Sequence, residues 1–187
     1  MAMKPIKQVK EVSVFENKFG TLFNDNVVSP SGSKGQYLRW RWSNKGVVII
    51  PELSSYVGLF WMYRYPIQQF SLEFPRGGID ESESIEVAAR RELAEEANLT
   101  TSNITVLGSL YPDTGLIESE TVVVLAHILE GAKPHEAQIE AMESIDQKAE
   151  WIHHDQIDSE LVSGRIKCGV TIAALALLSA NKLIPEG

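Results

Sequence analysis

The sequence predicts a mixed α/β domain, a sheet flanked by helices, and three observations carry that prediction. Apolar and alternating runs of strand length follow one another from Val9 to Phe74. Between Ser84 and Asn98 the apolar period changes to the helical one, at Ile85, Ala88, Ala89, Leu93 and Ala97. Two more strand-like runs then precede a short and a longer C-terminal helix.

In order, "VKEVSVFEN" reads as a loosely alternating strand, and "TLFNDNVV" continues with turn-prone Asn24-Asp25-Asn26 in its middle. "PSGSKG" is a turn. "QYLRWRW" alternates strictly, with Tyr37, Arg39 and Arg41 on one side and Leu38, Trp40 and Trp42 on the other. After "SNKG" comes "VVIIPE", a buried strand ended by Pro51. "YVGLFWMYRY" is an apolar, aromatic strand, and "FSLEF" a short one that enters Pro75-Arg76-Gly77-Gly78. Ser84 caps the helix that follows, and Asn98 sits where a left-handed residue would end it. "NITVLGSLY" and "ETVVVLAHIL" are strands joined by "PDTGLIES". "GAKPHEAQ" is a loop; "EWIHHDQIDSELVSG" gives a strand end and a short helix stopped by Gly164; a last helix runs from about Cys168 to Leu183.

The 187 residues suit one domain with a full core and a small extension. A formal net charge of −8 argues against nucleic acid as a partner, because a phosphate backbone wants a basic face. A single cysteine, Cys168, rules out an internal disulfide framework and points to the cytoplasm. No basic-then-apolar signal opens the chain, and "TIAALALLSA" is about half the ~20 residues that span a bilayer, so no membrane partner is expected.

The residues with chemistry crowd onto the predicted helix and the loop before it. "GGIDESESIEVAARRELAEEANL" carries Asp80, Glu81, Glu83, Glu86, Glu92, Glu95 and Glu96 against only Arg90 and Arg91. Glu92 and Glu96 share a helix face, with Glu95 beside them. Like charges at that spacing repel by about a few tenths of a kcal/mol. They also lie near the helix C-terminus, where the backbone dipole already disfavours negative charge. A divalent cation explains the arrangement that propensity does not. Mg²⁺ takes carboxylate oxygens and, held against a diphosphate, neutralises it and activates a water.

The spacing of Gly77, Glu83, Arg91-Glu92-Leu93, Glu95-Glu96 and Asn98-Leu99 resembles the Nudix box, G-x5-E-x7-R-E-U-x-E-E-x-G-U, where U is a bulky aliphatic residue. Every fixed position matches except Asn98, which replaces the last glycine and is a mild change at a left-handed cap. The resemblance implies a Nudix-type αβα sandwich with a mixed sheet, preceded by a small N-terminal antiparallel β region. It implies a domain at residues 46–187 and, at residues 1–45, an N-terminal element that pairs or exchanges with a second copy in a homodimer. Carried over by position, Glu92, Glu95 and Glu96 look like metal ligands, with the backbone carbonyl of Arg76 as a further one. Glu83 and Arg91 look catalytic and structural alike, bracing loop against helix, and Gly77 and Gly78, counted with the substrate site, would permit a tight turn at the metal. Mg²⁺, with Mn²⁺ as a substitute, is the implied cofactor.

The flanks "MYRYPIQQFSLEFPRGG" and "LVSGRIKCGVTIAALALL" resemble the branch that cleaves ADP-ribose and other nucleoside diphosphate sugars. By that resemblance Arg64 and Glu73 look like substrate-site residues; a salt bridge for Arg64 and a structural hydrogen-bond role for Glu73 are the alternatives. In "YPDTGLIESET", Glu120 or Glu118 looks like the base or a further metal ligand, and Thr114 replaces the branch's usual proline, which leaves other nucleotide sugars open. The implied reaction is metal-dependent hydrolysis of ADP-ribose or a related small nucleoside diphosphate to a nucleoside monophosphate and a sugar phosphate. Its rivals are hydrolysis of GDP-mannose or a dinucleoside polyphosphate, a non-catalytic nucleotide-sugar-binding module, and isopentenyl diphosphate isomerisation. The Trp40, Trp42, Trp61, Tyr63 and Tyr65 rings read mostly as core or subunit contact, and His127, His135, His153 and His154 show no metal-ligand spacing.

Overall fold

A computed structural model describes residues 4–101, 103–129 and 145–183. The loop expected at "GAKPHEAQ", and His135 with it, lies outside the described residues. The chain divides into two compact units, one comprising the residues up to Lys45 with Tyr111–Glu120, the other Gly46–Leu110 with the residues from Thr121 onward.

The first unit is an antiparallel sheet of β1 (Lys7–Lys10), β2 (Ser13–Asn17), β3 (Gly20–Val28) and β4 (Lys34–Trp42). β3 pairs with β4 along its whole length, while β1 and β2 share its other edge end to end. Two expectations are corrected here. "VKEVSVFEN" is two strands, broken at Glu11-Val12, because the Val12 amide leaves the ladder to donate to Asp25 Oδ1 at 3.0 Å. And β3 runs straight through Asn24-Asp25-Asn26 without a turn. Asp25 is buried there, accepting from Gln8 Nε2 (2.8 Å) and Arg39 Nε (2.7 Å), so cross-strand partners outweigh its local turn preference. Burial pushes the Asp25 carboxyl up, but those donors together hold it below the usual carboxylate range.

The second unit holds a mixed sheet. Its strands are β5 (Lys45–Leu53), β6 (Tyr56–Arg64), β7 (Gln69–Glu73), β8 (Arg76–Ile79), β9 (Asn103–Leu110), β10 (Thr121–His127) and β11 (Ile145–His153). The order is β11-β6-β5-β10-β9, with β10 parallel to β5. Pro51 does not end β5 as expected. The strand continues to Leu53, and the hairpin ladder to β6 begins only at Glu52, so one missing amide interrupts pairing without stopping the strand. Beyond that hairpin β5 and β6 part, and β7 pairs with the far half of β6 while β8 pairs with β5. The Ile49 amide donates to the Pro75 carbonyl at 2.9 Å and fixes the entry of β8.

Alternation on β5 sends its side chains to two cores. Val48 and Ile50 meet Val170, Ala174, Leu175 and Leu178 of α3 (Gly169–Leu183). Val47 and Ile49 meet Ala88, Ala89, Leu93 and Ala97 of α1 (Ile85–Ala97) on the opposite face. Helices therefore cover both faces, with the short α2 (Ile157–Val162) on the α3 side, through Ile157 and Leu161. Leu93 is fully buried, and truncating such a side chain to alanine costs about 2–5 kcal/mol. Cys168 lies just before α3, half-buried against the first of these cores.

Candidate active site

α1 begins where Ser84 Oγ accepts from the Val87 amide (3.3 Å) and ends at Asn98, which takes the left-handed conformation at φ 52°. Both caps match the expectation, and they fix where the acids of the last turns stand.

Arg91 is the centre of the site. Its Nε donates to Glu83 Oε1 (2.9 Å) and its Nη2 to Glu83 Oε2 (2.8 Å), a two-pronged pair that ties loop to helix. Nη2 also donates to the Gly78 carbonyl (2.9 Å). Nη1 reaches Glu92 Oε1 (2.7 Å) and Glu95 Oε2 (3.3 Å). Direct hydrogen bonds thus join Glu83 of the loop to Arg91 of the helix. The guanidinium beside Glu83, with the Asp80 amide at 3.2 Å, pulls its carboxyl down to about 2. Arg91 is held well above its own ordinary range, chiefly by Glu83.

Glu92 is only 8% exposed, and burial pushes its carboxyl up although Arg91 opposes the shift. Gly77 lies against it: a Cβ there would come within 2.0 Å of Glu92 Oε1. The expected tight turn at Gly77-Gly78 is corrected. Both lie in the extended strand β8, and neither is among the glycines with positive φ. Gly77 is required for close approach to a carboxylate, not for turning. Glu96 is fixed by an interaction that has no signal in the sequence: the Arg76 amide donates to its Oε2 at 2.8 Å.

The two expected substrate residues are found paired. Glu73, 3% exposed, accepts from Arg64 Nε (3.1 Å) and Nη2 (2.9 Å) and faces Arg76 Nη2 at 3.2 Å. Burial raises its carboxyl, but the two arginines prevail and hold it below the ordinary range. A line of contacts therefore runs from Arg64 through Glu73 to the Arg76 side chain, and from the Arg76 backbone to Glu96.

Glu118 and Glu120 belong to the first unit. Glu118 is bound by Arg39 and, at 3.0 Å, by Arg41 Nε. Arg39 and Arg41 also stand over the Phe23 ring, at 4.0 and 4.8 Å from its centre. Glu120 is half-buried.

Among the described residues, no three His, Cys, Asp or Glu side chains converge as a ready metal cage. The donors nonetheless fit a hard cation in kind. Glu92 is a buried carboxylate cradled on a glycine, Glu96 is oriented by a backbone amide, and Glu95 stands half-exposed one residue away. Mg²⁺ asks for one or two carboxylates and retains several waters, so it needs no closed cage.

The NUDIX domain profile matches residues 44–168. The chain belongs to the Nudix family. With its box acids complete it is a pyrophosphohydrolase of that family. A CMP-5'-(N-acetyl-N-hydroxy-3-aminopropyl)phosphonate hydrolase from Streptomyces rubellomurinus is 25% identical over 166 residues, 88% of this chain and 78% of that protein. RNA pyrophosphohydrolases match more closely over less: the one from Photobacterium profundum is 46% identical over 66 residues, 35% of each chain. A crystal structure of an ADP compounds hydrolase superposes with a TM-score of 0.82 over 96% of this chain and 95% of that one, at 20% identity, which is a likeness of fold. Nudix enzymes generally use a divalent metal. No helix among the described residues is long and apolar enough to cross a membrane.

Proposed function

We propose that this Nudix protein hydrolyses the diphosphate of ADP-ribose or a related nucleoside diphosphate sugar, giving a nucleoside monophosphate and a sugar phosphate. The observation that carries the reading is the buried Glu92 carboxylate seated on Gly77, beside a Glu96 held by the Arg76 amide. Glu92, Glu95 and Glu96, with the Arg76 carbonyl, would hold Mg²⁺ or Mn²⁺. The cation supplies neutralisation of the diphosphate and a bound water of lowered pKa. The chain's own residues do the rest. Arg91 and Glu83 keep the acids in register, Gly77 gives Glu92 its room, and the Arg64–Glu73–Arg76 line holds the strand whose Arg76 amide fixes Glu96. By the family resemblance, Glu120 or Glu118 would take the proton from the attacking water.

A second reading rests on the relative from Streptomyces rubellomurinus, whose likeness extends over most of both chains. Under it the substrate is a cytidylyl-linked phosphonate, and the same residues serve. One screen separates the two: Mg²⁺-dependent turnover of ADP-ribose, ADP-glucose, GDP-mannose, a dinucleoside polyphosphate and a CMP-linked phosphonate, with products identified. Release of AMP and ribose phosphate as the fastest reaction supports the first reading. Preference for the cytidylyl compound supports the second, and no hydrolysis of any overturns both.

We also propose a cytoplasmic homodimer that pairs through the N-terminal sheet, where Phe15, Phe19, Leu38 and Trp42 are about half exposed. A monomer by light scattering at micromolar concentration would remove that part of the reading.

A further inference from the structure

Four segments far apart in sequence bring titratable side chains together outside the box. Glu52, near the end of β5, is nearly buried. Its Oε1 lies 3.1 Å from His154 Nε2 and 3.0 Å from Lys182 Nζ of α3, and its Oε2 lies 3.4 Å from His127 Nδ1 at the end of β10. Lys182 Nζ is itself 2.9 Å from His154 Nε2. The segment of His154 itself and β6 add titratable groups to this cluster. The His153 ring lies 6.5 Å away, itself 5.0 Å from the Tyr56 ring and with Asp155 at 3.5 Å from its Nδ1.

His154 Nε2 has one valence to give and two neighbours that want opposite things. Neutral and unprotonated at Nε2, it accepts from the Lys182 ammonium, and Glu52 balances that one positive charge. Once it takes a second proton, at Nε2, it is an imidazolium that donates to Glu52 and offers Lys182 nothing. Two cations then stand 2.9 Å apart over a single carboxylate that His127 also approaches.

We propose that Glu52, His127, His154 and Lys182 form a pH-sensitive clasp that fastens the last turn of α3 to the sheet and lets it go when His154 takes a proton. The clasp's partners differ in what they can yield. Glu52 is fixed within the sheet, whereas Lys182 is half-exposed on the helix end and is the group free to leave. Burial, followed by the Lys182 charge, holds His154 below the ordinary imidazole range, so the fastened form is the one present at neutral pH. Release belongs below about pH 6.5, the ordinary imidazole value. The clasp lies within the second unit, and its release does not depend on which diphosphate the box would cleave.

Hydrogen exchange of the amides at 178–182 in the full-length protein, corrected for intrinsic rates, tests it. Between pH 7.5 and 5.5 wild type should lose about tenfold in protection, the equivalent of one unit of differential protonation. Lys182→Met should show the lower protection at both pH values and raise the His154 titration midpoint by NMR. His154→Gln, whose amide both accepts and donates without titrating, should keep protection at both. Unchanged wild-type protection across that range, or a pH step that survives in His154→Gln, overturns the clasp. If His154→Gln does not fold, the wild-type exchange profile with the His154 titration in Lys182→Met still decides.

Discussion

Glu83 and Glu92 are held by the same arginine and answer it in opposite ways. Glu83 receives both prongs of the Arg91 fork and the Asp80 amide, and its carboxyl falls to about 2. Glu92 receives one prong, is buried, and is pushed up. The first acid is over-supplied with donors and has no charge left to offer a ligand. The second is under-supplied, so its ionised form gains most from any cation brought to it. Presence of a carboxylate in the motif does not set its role; its share of Arg91 and of solvent does.

The comparison breaks most severely at Glu92. Glu92→Gln keeps the shape and the Arg91 contact and removes the charge. Turnover of the best substrate should fall by on the order of 10²–10³, the size seen when one group aimed at transition-state charge is lost. Thermal stability should hold or rise. A carboxylate whose folded pKa is raised binds its proton more tightly when folded, so at neutral pH its charge costs stability, and the amide relieves that cost. A melting temperature well below wild type would show that Glu92 is a structural acid like Glu83.

Gly77→Ala tests the same contact from the other side. The added methyl would meet Glu92 at 2.0 Å, so carboxylate or strand must shift by an ångström or more. Misplacement of that size costs about 10²-fold in rate. Steady-state kinetics and metal titration calorimetry should both register it; an alanine variant with wild-type metal affinity would mean the cradle is not the cation's seat.

The helix and its caps were legible in the sequence because their signals are local. The apolar period, Ser84 and left-handed Asn98 sit within one window. The family resemblance supplied the Glu83–Arg91 brace. What stayed hidden depends on segments far apart in the chain. Asn24-Asp25-Asn26 reads as a turn until Gln8, Val12 and Arg39 arrive to satisfy Asp25. Gly77-Gly78 reads as a turn until Glu92 is seen against it. The Arg76 amide on Glu96 has no side-chain signature at all, and the four-segment cluster at Glu52 has no spacing to find.

Glu83→Gln should be milder than either change at Glu92. It loosens the arginine without touching the acids offered to a cation, and outer-shell partners of this kind typically cost 10–100-fold in metal affinity or activity; the lower figure, about tenfold, is expected here. Its clearest mark lies in acid. Glu83 has a depressed carboxyl, so the stability it contributes is fully present above its ordinary value of 4.5 and is lost as pH falls through about 2. Unfolding curves recorded from pH 5 to 2 should fall less steeply for Glu83→Gln than for wild type. Parallel curves would mean that Arg91 finds another partner and that Glu83 is not the over-supplied acid of the pair.

The smallest expected effect lies at the end of the same helix. Asn98 departs from the family's glycine, and its Oδ1 is buried with no partner among the described residues. A buried acceptor left unmade costs about 1–3 kcal/mol. At φ 52° glycine meets no steric penalty, although it gives up about 0.5–1 kcal/mol of chain entropy on folding. The two opposing terms leave Asn98→Gly more stable by roughly 1 kcal/mol, a rise of about 2–4 °C in Tm for a chain of this size. Turnover should not change, because Glu92, Glu95 and Glu96 keep their helical positions whichever residue follows Ala97. A fall in turnover with stability intact would instead make the Asn98 side chain part of what positions the acids, and would carry the contrast between Glu83 and Glu92 one turn further along α1.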